Sequence, residues 1–170
     1  LALLEGRLAD AEALIEQTAK AGYLVTPWDA GFTHVVATVA LRREQDRLAE
    51  VVDLLHEAIP RYRSYPLLGC VLVYVQAATG QTIEARRSLH EWVETDFREL
   101  SRDLGWAYGM VHLAEAAVIL RDQAMADALA SKLGPFASLH TSASGEVTAG
   151  PVSLALGRVA AFRGRIDDAL

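Results

Sequence analysis

The sequence predicts an all-α fold in which about four helical hairpins stack as an α-solenoid. One observation is an apolar segment, 67–78, that meets a break at Thr79-Gly80 and is followed by an amphipathic segment up to Glu94. In the second segment the apolar residues recur close to i, i+3, i+4 and i+7, which predicts a helix with one apolar face. The first segment is apolar nearly all round, as is typical of a helix with neighbours on two sides.

The other observation is a turn motif that recurs along the chain, a turn residue with an alanine five positions later. Three strong copies occupy 6–11, 80–85 and 164–169, and two weaker ones, with Asp or Arg as turn residue and one Val for Ala, occupy 46–51 and 121–126. Glycine suits the left-handed end of a helix, and alanine lets two helices approach closely. The copies recur roughly every 34 to 43 residues, the range of helical-hairpin repeats.

The helix bounds follow from apolar periodicity and from the residues at the ends. Gly22 is predicted to stop the first helix, Thr26 to cap the second, and Pro60 to close the third. A polar connection is expected over 95–103, and the 141–150 segment has loop composition. The predicted helices are 8–21, 28–43, 48–59, 67–78, the amphipathic segment up to 94, 104–120, 123–133 and 151–163.

Two β-branched runs offer an alternative to this all-α prediction. Residues 34–41 and 70–75 could be buried strands, and alternating such strands with helices would give an α/β sheet. Helices are favoured because both apolar runs continue well beyond strand length without a Gly or Pro break.

Composition narrows the class of protein. The chain has 170 residues, of which 52% are hydrophobic, and a formal net charge of −6. We expect a cytoplasmic protein with no membrane contact, because no apolar run approaches 18 residues and no signal peptide opens the chain. The negative charge disfavours nucleic acid as a direct partner. Cys70 is the only cysteine, which excludes a disulfide framework.

The two ends favour a fragment of a longer chain. Residues 1–4 resemble the tail of an apolar helix directly before the first turn, and the chain stops one turn into another helix. The interpretation is a single repeat domain, 1–170.

Four stretches carry a resemblance to a known family. They are LRREQDRLAE at 41–50, TDFRELSRDLGW at 95–106, the 150–157 run and the turn motif at 164–169. Together they resemble the tetratricopeptide-like helical region of large bacterial multidomain regulators, and the 95–106 stretch is the most specific. The resemblance implies a right-handed superhelix. Asp46 and Arg121 depart from the usual turn glycine, so we expect those two turns to be looser.

The resemblance also implies a function. Such regulators carry an AAA-type signalling ATPase before this region, and many have a class III adenylate or guanylate cyclase or a LuxR-type helix-turn-helix. This chain has no phosphate-binding Gly-x-x-x-x-Gly-Lys-Ser/Thr loop. We therefore expect a non-catalytic, cofactor-free scaffold for protein interaction or signal sensing. Its partner would be a protein, a peptide or another domain of the parent chain, and a small-molecule effector is a further option.

Six residues are candidates for partner contacts. In a repeat superhelix, aromatic side chains on the first helix of each hairpin lie nearest the concave surface. About two in three of them should instead pack in the core, because large aromatics are mostly buried. The candidates are Trp28, Tyr65, Tyr74, Trp106, Tyr108 and His112.

Chemical sites have little support in the sequence. His112 and Glu115 share a helix face, as do His90 and Glu94, but two ligands do not make a zinc site. Neither Ser101 nor Ser153 lies in a Gly-x-Ser-x-Gly motif. No catalytic or metal-binding residue is predicted. The alternative function is a fragment of an enzyme with a site near the 141–150 loop and His112.

Overall fold

The computed structural model describes residues 2–100, 102–103, 105–143 and 147–165. In this part of the chain it has eight α-helices, two short 3-10 helices and no strand beyond isolated β-bridges. The all-α prediction is confirmed. The chain divides into two compact units, Leu1–Arg63 and Ser64–Leu170. No helix in the described ranges is both long enough and apolar enough to cross a bilayer.

Unit 1 is built on the packing of its first two helices. Ala11 of the first and Leu41 of the second are buried in one apolar cluster with Ala2. The elements of unit 1 are α1 Leu8–Tyr23, α2 Pro27–Glu44, a 3-10 helix Leu48–Val51 and α3 Val52–Arg61.

The helix ends of unit 1 correct three predictions. Gly22 does not stop α1 but lies inside it, where an ideal Cβ would come within 2.7 Å of the Cβ of Ala30. Glycine is needed there because α1 and α2 approach closely. Thr26 precedes α2 but makes no side-chain capping hydrogen bond, and Pro60 lies inside α3, which ends one residue later.

Unit 2 centres on two long apolar helices that pack side by side, α4 and α6. α5 packs on α4, α7 packs on α6, and α8 covers another side of α6. The elements are α4 Leu67–Ala78, α5 Thr82–Glu94, α6 Trp106–Ile119, α7 Gln123–Leu133, a 3-10 helix Gly134–Phe136 and α8 Val152–Phe162.

The two runs with a strand alternative are both helical. Residues 34–41 lie within α2, and residues 70–75 lie within α4. Nine of the twelve residues of α4 are buried, so its lack of a polar face reflects neighbours on several sides rather than a sheet.

All five copies of the turn motif have the same backbone geometry. The turn residue has a positive φ, and the next residue donates its N–H to the carbonyl five positions earlier, at 2.8 to 2.9 Å. This pattern is the Schellman end of a helix. The turns at Asp46 and Arg121, expected to be looser, close with the same bond. The turn residues are Gly6, Asp46, Gly80, Arg121 and Gly164.

The predicted polar connection over 95–103 is partly buried. Phe97 and Leu100 are each only 5% exposed, so this segment belongs to the core of unit 2. Several sequence predictions fall outside the described residues: Leu1, Ser101, the predicted helix start at Leu104, residues 144–146 of the loop, and 166–170 of the last turn motif.

Candidate interaction site

The six candidate contact residues differ in exposure. Trp28, in unit 1, is 45% exposed, and Tyr65 of unit 2 is partly exposed. The other four belong to unit 2 and are buried, each at 7% exposure or less: Tyr74, Trp106, Tyr108 and His112. A partner could reach Trp28 and Tyr65 without rearrangement, and contact by the four buried residues stays a prediction.

Three of the four buried residues, Tyr74, Tyr108 and His112, pack on one another. The ring of His112 lies 4.5 Å from that of Tyr108 and 5.2 Å from that of Tyr74, between centroids. Nδ1 of His112 is 2.8 Å from the carbonyl oxygen of Tyr108. A carbonyl can only accept a hydrogen bond, so Nδ1 carries the proton. These contacts join α4 to α6.

The residues weighed as metal ligands have other partners. Glu115 is buried on α6 and forms an ion pair with Arg158 of α8. His90 lies next to Asp122, with 2.9 Å between Nε2 and Oδ2. Among the described residues, no group of three or more His, Cys, Asp or Glu side chains is placed to hold a metal ion.

The 141–150 loop, the site of the alternative function, has internal hydrogen bonds made by Thr141. Its hydroxyl donates to the carbonyl of Gly150 and accepts from the N–H of Ala149, both at 2.9 Å. In the described ranges 141–143 and 147–150, the loop offers hydroxyl groups but no side-chain base.

An exposed apolar surface lies instead at the turn between α1 and α2 of unit 1. Four neighbouring residues, Tyr23, Leu24, Val25 and Trp28, are between 41% and 88% exposed. We call them the Trp28 patch. Exposed apolar clusters of this kind mark interaction surfaces in monomeric proteins.

Tyr62 packs against Trp28 of the patch from the protein interior. Its ring is almost fully buried and meets the Trp28 ring edge to face, with 4.9 Å between centroids. Gly31 makes room for it, because an ideal Cβ there would overlap the Tyr62 hydroxyl and lie 3.2 Å from that of Tyr23. Burial raises the pKa of Tyr62 above its ordinary value, so the phenol is neutral at physiological pH.

Lys20, Arg61 and Asp29 are charged residues near the patch. Lys20 lies one turn before Leu24 on α1, and the guanidinium of Arg61 is 5.5 Å from the Tyr62 ring centroid. Asp29 is the acidic neighbour of Trp28 in sequence. Two cations and one carboxylate are thus close to the patch in sequence or in contact with Tyr62, in a chain whose formal net charge is −6.

Sequence reasoning singled out Trp28 but missed its neighbours. Tyr23, Leu24 and Val25 fall between two predicted helices, and the signal was an apolar run where a polar loop is usual. No protein-family model matches the chain, and neither a curated protein nor a solved structure is significantly similar to it.

Proposed function

We propose that the chain is a non-catalytic protein-interaction module and that it binds its partner through the Trp28 patch. The observation that carries the proposal is the exposure of Trp28 and Tyr23, with the Trp28 ring packed on the buried ring of Tyr62. Trp and Tyr dominate binding energy at protein interfaces, especially where they need little ordering on association.

The charge around the patch selects the partner. Lys20 and Arg61 attract acidic groups, and the patch itself requires apolar side chains. We therefore expect the partner to present an apolar segment flanked by Asp or Glu. Such flanking charges mainly raise the association rate and exclude basic competitors.

The wider setting rests on the resemblance of 41–50 and 95–106 to bacterial regulators. In that setting the module would be a tetratricopeptide-like array that passes a signal to an ATPase, a nucleotide cyclase or a DNA-binding domain elsewhere in the parent chain. The five matching turns support the repeat character of the array.

The test is a binding titration with two designed peptides. One carries leucines on one helical face and glutamates at both flanks, and the other has lysines in place of the glutamates. We expect the glutamate peptide to bind more tightly, and Trp28→Ala to weaken that binding about tenfold or more, as for an interface hot spot.

The control variant is Ile83→Ala, which truncates an apolar side chain in unit 2 that is more exposed than Trp28. It should leave the affinity unchanged. Circular dichroism before each titration establishes that the variants are folded. Equal affinity of wild type and Trp28→Ala for the glutamate peptide, with both folded, would exclude the patch as the binding surface.

A further inference from the structure

A crevice of about 380 Å³ runs along the seam between α4 and α5 in unit 2. Its lining includes Gly69, Val73 and Gln76 of α4, Trp92 of α5, and Glu99. We propose that this crevice binds the side chain of an arginine carried by a partner polypeptide. The site is separate from the Trp28 patch, so either proposal can fail alone.

The first reason is the carboxamide of Gln76. It is 5% exposed, in a helix that is otherwise almost entirely apolar, and its Oε1 accepts no hydrogen bond in the described structure. A buried acceptor without a donor is costly and calls for a partner. Oε1 has almost no accessible surface in the orientation found. A ligand would reach it after the last torsion of the side chain, which turns easily, brings the oxygen towards the crevice.

The second reason is Trp92. The indole lies against the backbone of α4 at Gly69, where an ideal Cβ would come within 3.2 Å of Cζ2. Because Gly69 has no side chain, the indole can pack on the backbone of α4 and form part of the crevice wall. An indole is the best aromatic partner for a cation, and a planar guanidinium also stacks on it.

The third reason is charge at the mouth of the crevice. The Glu99 side chain is exposed and forms no ion pair with the described residues, and the carboxylate of Glu91 is 3.9 Å from its nearest cation, Arg87. A positive ligand would therefore find a carboxylate that is not already engaged.

These groups fit a guanidinium better than an ammonium. A guanidinium has five N–H donors in one plane, so it can reach the Gln76 oxygen and a carboxylate while its face contacts Trp92. The crevice is partly open to solvent along the seam. A side chain projecting from a polypeptide suits this shape.

The experiment is an NMR titration of the full chain with a capped alanine peptide that contains one arginine. We expect shifts in the indole N–H of Trp92 and the side-chain amide of Gln76. The same peptide with citrulline, which has the shape of arginine without the charge, should bind at least about tenfold more weakly.

Matched variants test the residues. Glu99→Gln and Gln76→Leu should each weaken arginine-peptide binding several-fold, whereas Glu84→Gln, an exposed change on α5 outside the crevice, should not. The indole N–H of Trp92 reports whether each variant keeps its fold, and in Glu99→Gln and Glu84→Gln the side-chain amide of Gln76 does so as well. Equal binding of citrulline, or unchanged affinity in folded Glu99→Gln and Gln76→Leu, would overturn the site. Tighter binding of free arginine than of the peptide would overturn a polypeptide as the source.

Discussion

His90 and Asp122 meet across the seam between α5 and α7, with Nε2 of His90 2.9 Å from Oδ2 of Asp122. Arg86 donates to the same carboxylate oxygen at 3.0 Å and to the carbonyl of Leu120 at 2.7 Å. The other oxygen, Oδ1, accepts the N–H of Met125 and caps α7. One carboxylate thus fixes the turn between α6 and α7 to α5.

This arrangement predicts a pH-dependent contribution to stability. Burial alone raises the pKa of Asp122, but hydrogen bonds from His90 and Met125 and the nearby positive charges outweigh it, so the net pKa is lowered. A lowered folded-state pKa gives stability that is present above the ordinary aspartate value and lost as pH falls below it. We expect Asp122→Asn to cost about 1 kcal/mol at pH 7, a value reduced for the half-exposed partners.

Urea unfolding at pH 7 and pH 3 checks this prediction. The difference between wild type and Asp122→Asn should shrink at pH 3, because the carboxylate of the unfolded chain is mostly protonated there and the folded state loses its advantage in keeping it charged. Asp53→Asn, on the exposed side of α3, is the control and should have little effect. A difference that stays constant with pH would contradict the ionic role.

The left-handed turns predict that introducing a glycine at a turn residue raises stability and that replacing a turn glycine lowers it. Arg121 has a φ of 55° and Asp46 one of 56°, a region that costs non-glycine residues about 1 kcal/mol. Arg121→Gly should therefore stabilise unit 2 by about 0.5–1 kcal/mol, with a smaller gain at Asp46, since aspartate tolerates this region better.

Gly80→Ala is the reverse experiment. Nothing lies within 4 Å of an ideal Cβ at Gly80, so a loss of about 1 kcal/mol would come from the backbone alone. Gly80→Asn should cost less. Chemical denaturation of the variants measures these changes, and equal stability of Gly80→Ala and wild type would argue against a strained turn.

Gly31 should be intolerant of a side chain because of Tyr62. We expect Gly31→Ala to destabilise unit 1 by about 1–3 kcal/mol through overpacking. Tyr62→Phe removes the hydroxyl that the new methyl group would meet, so the double variant should lose less than the sum of the two single changes. Thermal unfolding of the wild type, the two single variants and the double variant measures this coupling. Strict additivity would show that the contact between residue 31 and the Tyr62 hydroxyl is not the cause.

Cys70 should be unreactive in the folded protein. It is fully buried, and burial raises the pKa of its thiol far above the ordinary range. Because the thiolate is the reactive species, an aromatic disulfide reagent should modify Cys70 only as unit 2 unfolds. The modification rate should rise with urea, and rapid labelling in native buffer would contradict the packing of Cys70 in α4.

The sequence predicted the helices well where an apolar stripe or an uninterrupted apolar run set the pattern. α4 and α7 have the predicted bounds, because a left-handed turn residue marks an edge of each. The prediction that Gly22 ends the first helix was wrong, because a glycine that ends a helix and one that makes room for a neighbouring helix look alike in sequence. The prediction that Pro60 closes the third helix was wrong, because a proline can be accommodated inside a helix close to its end.

The candidate sites were less predictable, because exposure depends on packing between distant segments. Tyr108 and Trp28 carry the same kind of aromatic signal, yet one is fully buried and the other half exposed. Gln76 did leave a signal, as a lone amide in an apolar helix. Only the position of Trp92 across the seam turns that amide into part of a crevice.

The closing hydrogen bond of the five turns varies by only 0.1 Å, although the spacing between the turns does not stay constant. The geometry of the turn itself is therefore nearly the same in all five copies, and differences in length lie elsewhere in the chain. The segments between α5 and α6 and between α7 and α8 are long, whereas those between α1 and α2 and between α3 and α4 are short. Both long segments are anchored in unit 2, the first by Phe97 and Leu100 and the second by Thr141 and Ala143. Residues could therefore be gained or lost, or a loop grafted, only between such anchors, where the hairpin turns would stay unaltered.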